Sequence, residues 1–235
     1  MKSVKIVLAS LIMTSMTLLA TTTNKALVEE IANLPVIKNS RLTIVDIMDK
    51  GSVYMVRAKK LPDTRKITFF LSKDKKVLVM GQGIDARTGG KIAFPLDMSV
   101  IKGKEAFSYG TGNKILYIFT DPECVYCKKF EKKMPSLAKD YTMKVYLFPL
   151  AFHKEAKAMS RYILDAPSDM QKGQRLIDIA NDDTSYRKFN PTPQRKKELD
   201  ALVEQQLQIG TDFDIQGTPT VLDANLKSVN WSSLK

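Results

Sequence analysis

The chain contains two cysteines, Cys124 and Cys127, separated by two residues and lying just downstream of the apolar run at 115–120. A bridge across so short a loop removes little entropy from the unfolded chain. The pair is thus a poor staple for 235 residues, and its spacing points to reactivity. The run Ile-Leu-Tyr-Ile-Phe-Thr is almost continuously apolar, as a strand buried on both faces would be, and a helical pattern follows over about 124–139. Strand, cysteine pair and helix in that order constrain the fold more than any other feature of the chain. At a helix N-terminus the unpaired N–H groups and the positive end of the macrodipole favour a thiolate, so Cys124 is the expected nucleophile. Cys127, Phe130, Met134 and Leu137 recur at helical spacing on one apolar face. Cys127 is accordingly the expected buried, resolving thiol.

Other uses of the pair meet obstacles. A zinc site needs two more ligands, yet His153 is the single histidine and no third cysteine exists. Attachment of a c-type haem needs His directly after the second cysteine, where Lys128 stands. A structural disulfide stays open as the alternative. The acidity of the nucleophile is also open: Glu123 opposes a second negative charge, while Lys128 and Lys129 support one. Lys128, Lys129, Lys132 and Lys133 are expected on an exposed basic side of the helix, opposed by Glu131. Pro135 either kinks this helix or marks its end at Met134. His153 is given no role, and no cofactor is expected, because a dithiol carries its own electrons.

Around this centre the chain divides. Lys2 and Lys5 precede an uncharged, mainly apolar run over 6–20, which reads as a secretory leader cut somewhere between 20 and 26. At about fifteen residues the run is shorter than the roughly twenty needed to span hydrocarbon, and no cysteine offers a lipid-attachment site. The formal charge of +12 implies a cationic surface, but no nucleic-acid-binding motif accompanies it. Over 27–95 an opening helix ending at Pro35 is followed by strands at 52–58, 66–71 and 76–80. The last two flank the polar turn 72–75 and form a hairpin signal. The glycines at 81, 83, 89 and 90 and then Pro95 lead into a linker with helical character over 96–113. From 114 onward the order is strand, motif helix, strand at 143–148, helices near 154–164, 170–180 and 193–209, a strand at 220–222 and an extended piece at 226–229. The fold class expected is α+β, with a helical insertion in the C-terminal domain.

Gly217-Thr218-Pro219-Thr220 stands at the start of that last strand. A proline there needs no special explanation, but it occurs together with Phe119-Thr120-Asp121 and the cysteine pair. Jointly these motifs resemble the bacterial thiol:disulfide interchange proteins of the DsbC and DsbG type. The resemblance implies a cystatin-like dimerisation domain over 27–95, a linker helix, and a thioredoxin-like catalytic domain over 114–235. It also implies Cys124 as attacking and Cys127 as resolving cysteine, Pro219 as a cis-proline facing them, and Thr218 as the residue whose backbone pairs with substrate. The partners implied are unfolded or misoxidised exported proteins, a membrane thiol reductase of the DsbD type and a second copy of the chain, in the periplasm. The direction of the chemistry stays open between isomerase or reductase and a DsbA-type oxidase, as do a chaperone or thiol-binding role and reduction of apocytochrome thiols. Two departures from the pattern stand out: there is no second, structural disulfide, and little chain follows Trp231 to form a terminal helix.

Overall fold

The computed structural model describes residues 24–60 and 66–234. The expected leader over 1–20 lies outside the described residues. The chain forms two compact units, one ending at Gly83 and the other beginning at Ile84, so the boundary falls ahead of the expected residue 95.

In the first unit, α1 (Lys25–Ala32) is capped by Asn24, whose side-chain oxygen accepts from the N–H groups of Ala26 and Leu27. Pro35 does not simply end this helix. It opens α2 (Pro35–Asn39), at a first-turn position where its missing N–H costs nothing. Four antiparallel strands follow in the order β1 (Leu42–Asp49), β2 (Val53–Lys60), β3 (Lys66–Ser72) and β4 (Leu78–Met80). The hairpin expected around 72–75 joins β3 to β4, with Leu71 opposite Leu78. Strand β1 is absent from the sequence reading because a bulge between Ile44 and Asp46 interrupts the alternation by which a half-buried strand is recognised. Ile31, Ile37, Val56, Ala58, Phe69 and Leu71 form the core of this unit. Two short strands, β5 (Gly83–Ile84) and β6 (Lys91–Ile92), pair as a separate ribbon.

The expected linker helix over 96–113 is not there. That stretch holds a 3-10 turn (Met98–Val100) and strand β7 (Phe107–Tyr109). Gly110 has φ of +89°, and a Cβ there would lie 2.3 Å from the Tyr141 carbonyl oxygen, so this passage is built for a close crossing that only glycine allows. The apolar residues that suggest a helix instead bury themselves on the sheet of the second unit.

That sheet has the order β10-β8-β9-β7. Strands β8 (Lys114–Thr120) and β9 (Tyr141–Leu147) run parallel, and β7 and β10 (Thr220–Asp223) flank them antiparallel. Leu116, Ile118, Met143, Val145 and Leu147 point to one face. There they meet Phe130 and Met134 together with residues of α5 (Ala156–Leu164), α6 (Asp169–Ala180) and α7 (Pro193–Asp212). The alternate residues Phe119 and Tyr146 point to the other face, with Ile101, Ile209, Phe213 and Leu222. The Phe119 ring stacks on Tyr146 at 4.7 Å and on Phe213 at 5.4 Å. Both faces being covered explains the unbroken apolar run in β8.

No long terminal helix follows β10 among the described residues. Its place on the second face is taken by Leu96, Met98, Val100 and Ile101, with the end of α7 and Ile215. Tyr146 fastens this cover by donating its hydroxyl to the Ile101 carbonyl at 2.8 Å. Of the extended piece expected at 226–229, a single bridge between Leu222 and Ser228 forms.

The motif helix is two helices, α3 (Val125–Glu131) and α4 (Met134–Leu137). The break lies at Lys132 and Lys133, ahead of both alternatives read from Pro135. A proline ring collides with the carbonyl four residues before it, here that of Glu131. The first helix therefore stops early, and Pro135 sits in the opening turn of the second.

Candidate active site

Cys124 occupies the N-cap of α3 with extended backbone, immediately after the turn that follows β8. It is 8% exposed, whereas Cys127, one turn on, is wholly buried. Both thiols are free. The Thr218–Pro219 peptide bond is cis, and the Thr218 carbonyl oxygen accepts from the Cys124 thiol at 3.7 Å. Residues almost a hundred positions apart, Cys124, Cys127, Thr218 and Pro219, are thus brought to one place by the antiparallel pairing of β10 with β8.

The surroundings of Cys127 are polar but closed to solvent. The Asp121 N–H donates to its sulfur at 3.5 Å, and the hydroxyls of Thr218 and Thr120 face it. The Thr218 hydroxyl oxygen is buried and has no hydrogen-bond partner. Burial pushes the Cys127 thiol far above its ordinary range, and the hydroxyls and the Asp121 N–H offset only part of this.

Two residues next to the pair behave differently from their sequence reading. Glu123 does not aim its charge at Cys124. One carboxylate oxygen accepts from the N–H groups of Glu155 at 2.6 Å and Ala156 at 2.8 Å, so the residue before the nucleophile caps the N-terminus of α5. Glu131 does not oppose the lysines on the exposed side of α3. It is wholly buried and accepts from the Thr120 hydroxyl at 2.6 Å. Its position four residues after Cys127 already placed it on the buried stripe, but its charge argued for solvent. Burial raises its carboxyl to about 8. The nearby Asp121 adds to the rise, while the Thr120 hydroxyl and Lys128 oppose it.

Asp121, also wholly buried, organises the loops. Its carboxylate accepts from the N–H of Glu123 at 2.8 Å and of Leu150 at 2.6 Å, and it meets His153 Nδ1 at 2.8 Å. His153, given no role from sequence, therefore braces the segment after β9 against the segment after β8. Around the pair, Val125, Tyr126 and Phe152 expose most of their apolar surface. Phe152 packs edge-on against the His153 ring at 4.5 Å. Among the described residues no three His, Cys, Asp or Glu side chains converge as a metal site would require, and no helix is long and apolar enough to cross a membrane.

The second unit is similar to proteins already known. Residues 108–225, half of the chain, match the model of the thioredoxin-like domain. Probable thiol:disulfide interchange proteins DsbC from Bordetella parapertussis and Bordetella pertussis are 27% identical over 128 residues. That stretch is 54% of this chain and 39% of each relative, so the chain spans well under half of their length. Among solved structures, Helicobacter pylori DsbG is 16% identical, with a TM-score of 0.41 over 85% of this chain and 99% of that one. BdbD from Bacillus subtilis is 15% identical, with a TM-score of 0.44 over 60% of this chain and 91% of that one. The stretch matched by the family model runs from β7 through the cysteine pair and the cis-proline to the end of β10, and the chain belongs to the thioredoxin-like domain family.

Proposed function

We propose that this chain is a thiol-disulfide oxidoreductase that acts on exported proteins, chiefly as a disulfide isomerase or reductase. The observation that carries the reading is the unequal burial of the two thiols beside the Thr218–Pro219 bond. Cys124 is within reach of a partner at the mouth of the site, and Cys127 lies behind it with no access of its own. Cys124 attacks a substrate disulfide, and one substrate sulfur leaves as thiolate. The resulting mixed disulfide is resolved by a substrate thiol, which completes an isomerisation, or by Cys127, which completes a reduction and leaves Cys124 and Cys127 joined. A membrane thiol reductase of the DsbD type then returns the pair to the dithiol.

The exposed Val125, Tyr126 and Phe152 suit unfolded clients, whose apolar side chains are accessible, and the Thr218 backbone is the strand-like edge for a client peptide. The helix-on-sheet unit before Gly83 supports a cystatin-like dimerisation role, and the basic leader sequence supports export to the periplasm.

Cys127→Ala should accumulate mixed disulfides between Cys124 and its clients, and those clients should be misoxidised exported proteins. Wild-type protein in a glutathione buffer should restore activity to a scrambled disulfide-bonded substrate, and Cys124→Ser should not. Equal recovery with wild type and Cys124→Ser would sink the proposal.

A further inference from the structure

The strap from Phe148 to Ala156 joins β9 to α5, and five polar contacts tie it to residues 120–123, just ahead of Cys124. The Thr120 carbonyl accepts from the Phe148 N–H at 2.7 Å. The Asp121 carboxylate takes the Leu150 N–H and meets the His153 ring, and the Glu123 carboxylate takes the N–H groups of Glu155 and Ala156. Within the strap the His153 N–H donates to the Leu150 carbonyl at 3.0 Å, closing a tight turn with Ala151 and Phe152 at its central positions. One oxygen, Asp121 Oδ2, holds both ends of this turn, at 2.6 Å from the Leu150 nitrogen and 2.8 Å from His153 Nδ1.

Phe152 is out of place there by the ordinary chemistry of turns, which favours glycine, proline, asparagine, aspartate and serine. Its side chain is 73% exposed, and its ring meets the His153 ring edge-on at 4.5 Å. A single apolar residue on a surface is ordinary. This one stands on a turn pinned to the approach to the nucleophile, and Val125 and Tyr126, next to Cys124 in the chain, are exposed as well. The ring is held out to solvent by a scaffold fastened to the reacting end of the molecule.

We propose that Phe152 is a specificity-determining residue: it contacts the side chain beside the cysteine of a client, and it favours clients in which that side chain is aromatic. The inference rests on the redox role proposed above and names the class of client. For Cys124 to attack, the client sulfur must come to the mouth of the site, which brings the residues flanking the client cysteine to the strap. A ring already fixed in place loses little conformational freedom on contact, so its burial goes into affinity. Aromatic residues are mostly hidden in native folds, and the contact therefore selects chains that have not completed folding. His153 is a positioning residue that supports the ring on one side and ties the turn to Asp121 on the other.

The test uses reduced full-length protein and two symmetric peptide disulfides, each a dimer of a short peptide with one cysteine, flanked on both sides by phenylalanine in one and by serine in the other. Cys124 attacks one peptide sulfur, and the other peptide leaves as thiolate. Cys127 then attacks the Cys124 sulfur and displaces the first, so two electrons pass to the substrate and the cysteine pair closes. The readout is the ratio of the two second-order rate constants, divided by the same ratio measured with dithiothreitol to remove the intrinsic difference between the peptides. Wild type should favour the phenylalanine peptide by about tenfold, the upper range for one aromatic pair. Phe152→Ser should bring the ratio down to about twofold, whereas Phe152→Tyr, which keeps the ring, should retain it. His153→Ala should lower the ratio although Phe152 remains. A ratio near one in wild type overturns the inference, as does an undiminished ratio in Phe152→Ser, and an undiminished ratio in His153→Ala overturns the positioning role. A wild-type protein that reduces neither peptide overturns the underlying redox reading as well.

Discussion

Replacing Glu131 with glutamine should remove a pH dependence from the stability of the second unit, and the size of that dependence follows from the site. Burial holds the carboxyl at about 8 in the folded chain, against 4.5 for an ordinary glutamate. Between those values the folded protein keeps a proton that the unfolded chain has released, so stability falls as pH rises through this window. At about 1.4 kcal/mol per pH unit, the full loss from one end to the other is about 5 kcal/mol. That is comparable with the whole stability of many domains. Carboxylates whose values are lowered, such as Glu155, held by the Tyr186 hydroxyl and Arg187, and Glu198, held by Arg195, act in the opposite sense and at lower pH. The Cys127 thiol, raised from 9.0, contributes only above the window. The amide of the Glu131→Gln variant keeps the shape of the side chain and the contact with Thr120 but cannot ionise, so any cost of burying it is a constant offset. Trp231, the single tryptophan of the chain, packs edge-on against Phe130 of α3 at 6.1 Å, and its fluorescence reports unfolding of this unit. Urea denaturation of the two reduced proteins should give stabilities that diverge steadily from pH 5 to pH 8, with the variant gaining. Parallel curves across that range would refute the placement of Glu131 as a buried, mostly protonated acid.

Other substitutions test the frame around the pair. Phe130→Ala removes a wholly buried ring from the larger core and should cost about 3–5 kcal/mol, read as a lower denaturation midpoint with unchanged slope. Gly173→Ala should destabilise, although alanine in a helix ordinarily gains about 1 kcal/mol over glycine, because the added Cβ would lie 2.4 Å from the Tyr109 ring; a raised midpoint would contradict this contact. Glu123→Ala uncaps α5 and should cost about 1 kcal/mol, with faster hydrogen exchange at the Glu155 and Ala156 amides, which its carboxylate holds.

What was legible in the sequence is what local pattern controls. The run in β8 announces a strand covered on both sides, and the spacing of Cys127, Phe130 and Met134 announces the buried stripe of α3. Thr192 and Ser168, which accept from amides in the first turns of α7 and α6, lie where capping residues are expected, and both helices fall within a few residues of their expected bounds. The failures have equally physical causes. A bulge in β1 breaks its alternation, and the crossing at Gly110 gives no periodic signal. Apolar residues at 96–101 have helix-like spacing, yet they pack on the sheet of the second unit with only one 3-10 turn among them. Glu131 reads as a solvent-facing residue because burying a carboxyl is costly. Nothing in the residues alone reveals that Thr120 waits opposite it on β8. The pairing of Glu123 with α5 likewise depends on contacts more than thirty residues away in the chain.

The cover supplied by Leu96, Met98, Val100 and Ile101 also decides where this protein can be cut. A fragment trimmed to begin at β8 would keep both cysteines and the cis-proline. It would nevertheless strip one side of Phe119, Tyr146 and Phe213 of its packing and leave the Tyr146 hydroxyl without the Ile101 carbonyl. The smallest autonomous catalytic cassette therefore begins upstream of Leu96, and the stretch that resembles a tether in the sequence is a wall of the folded unit.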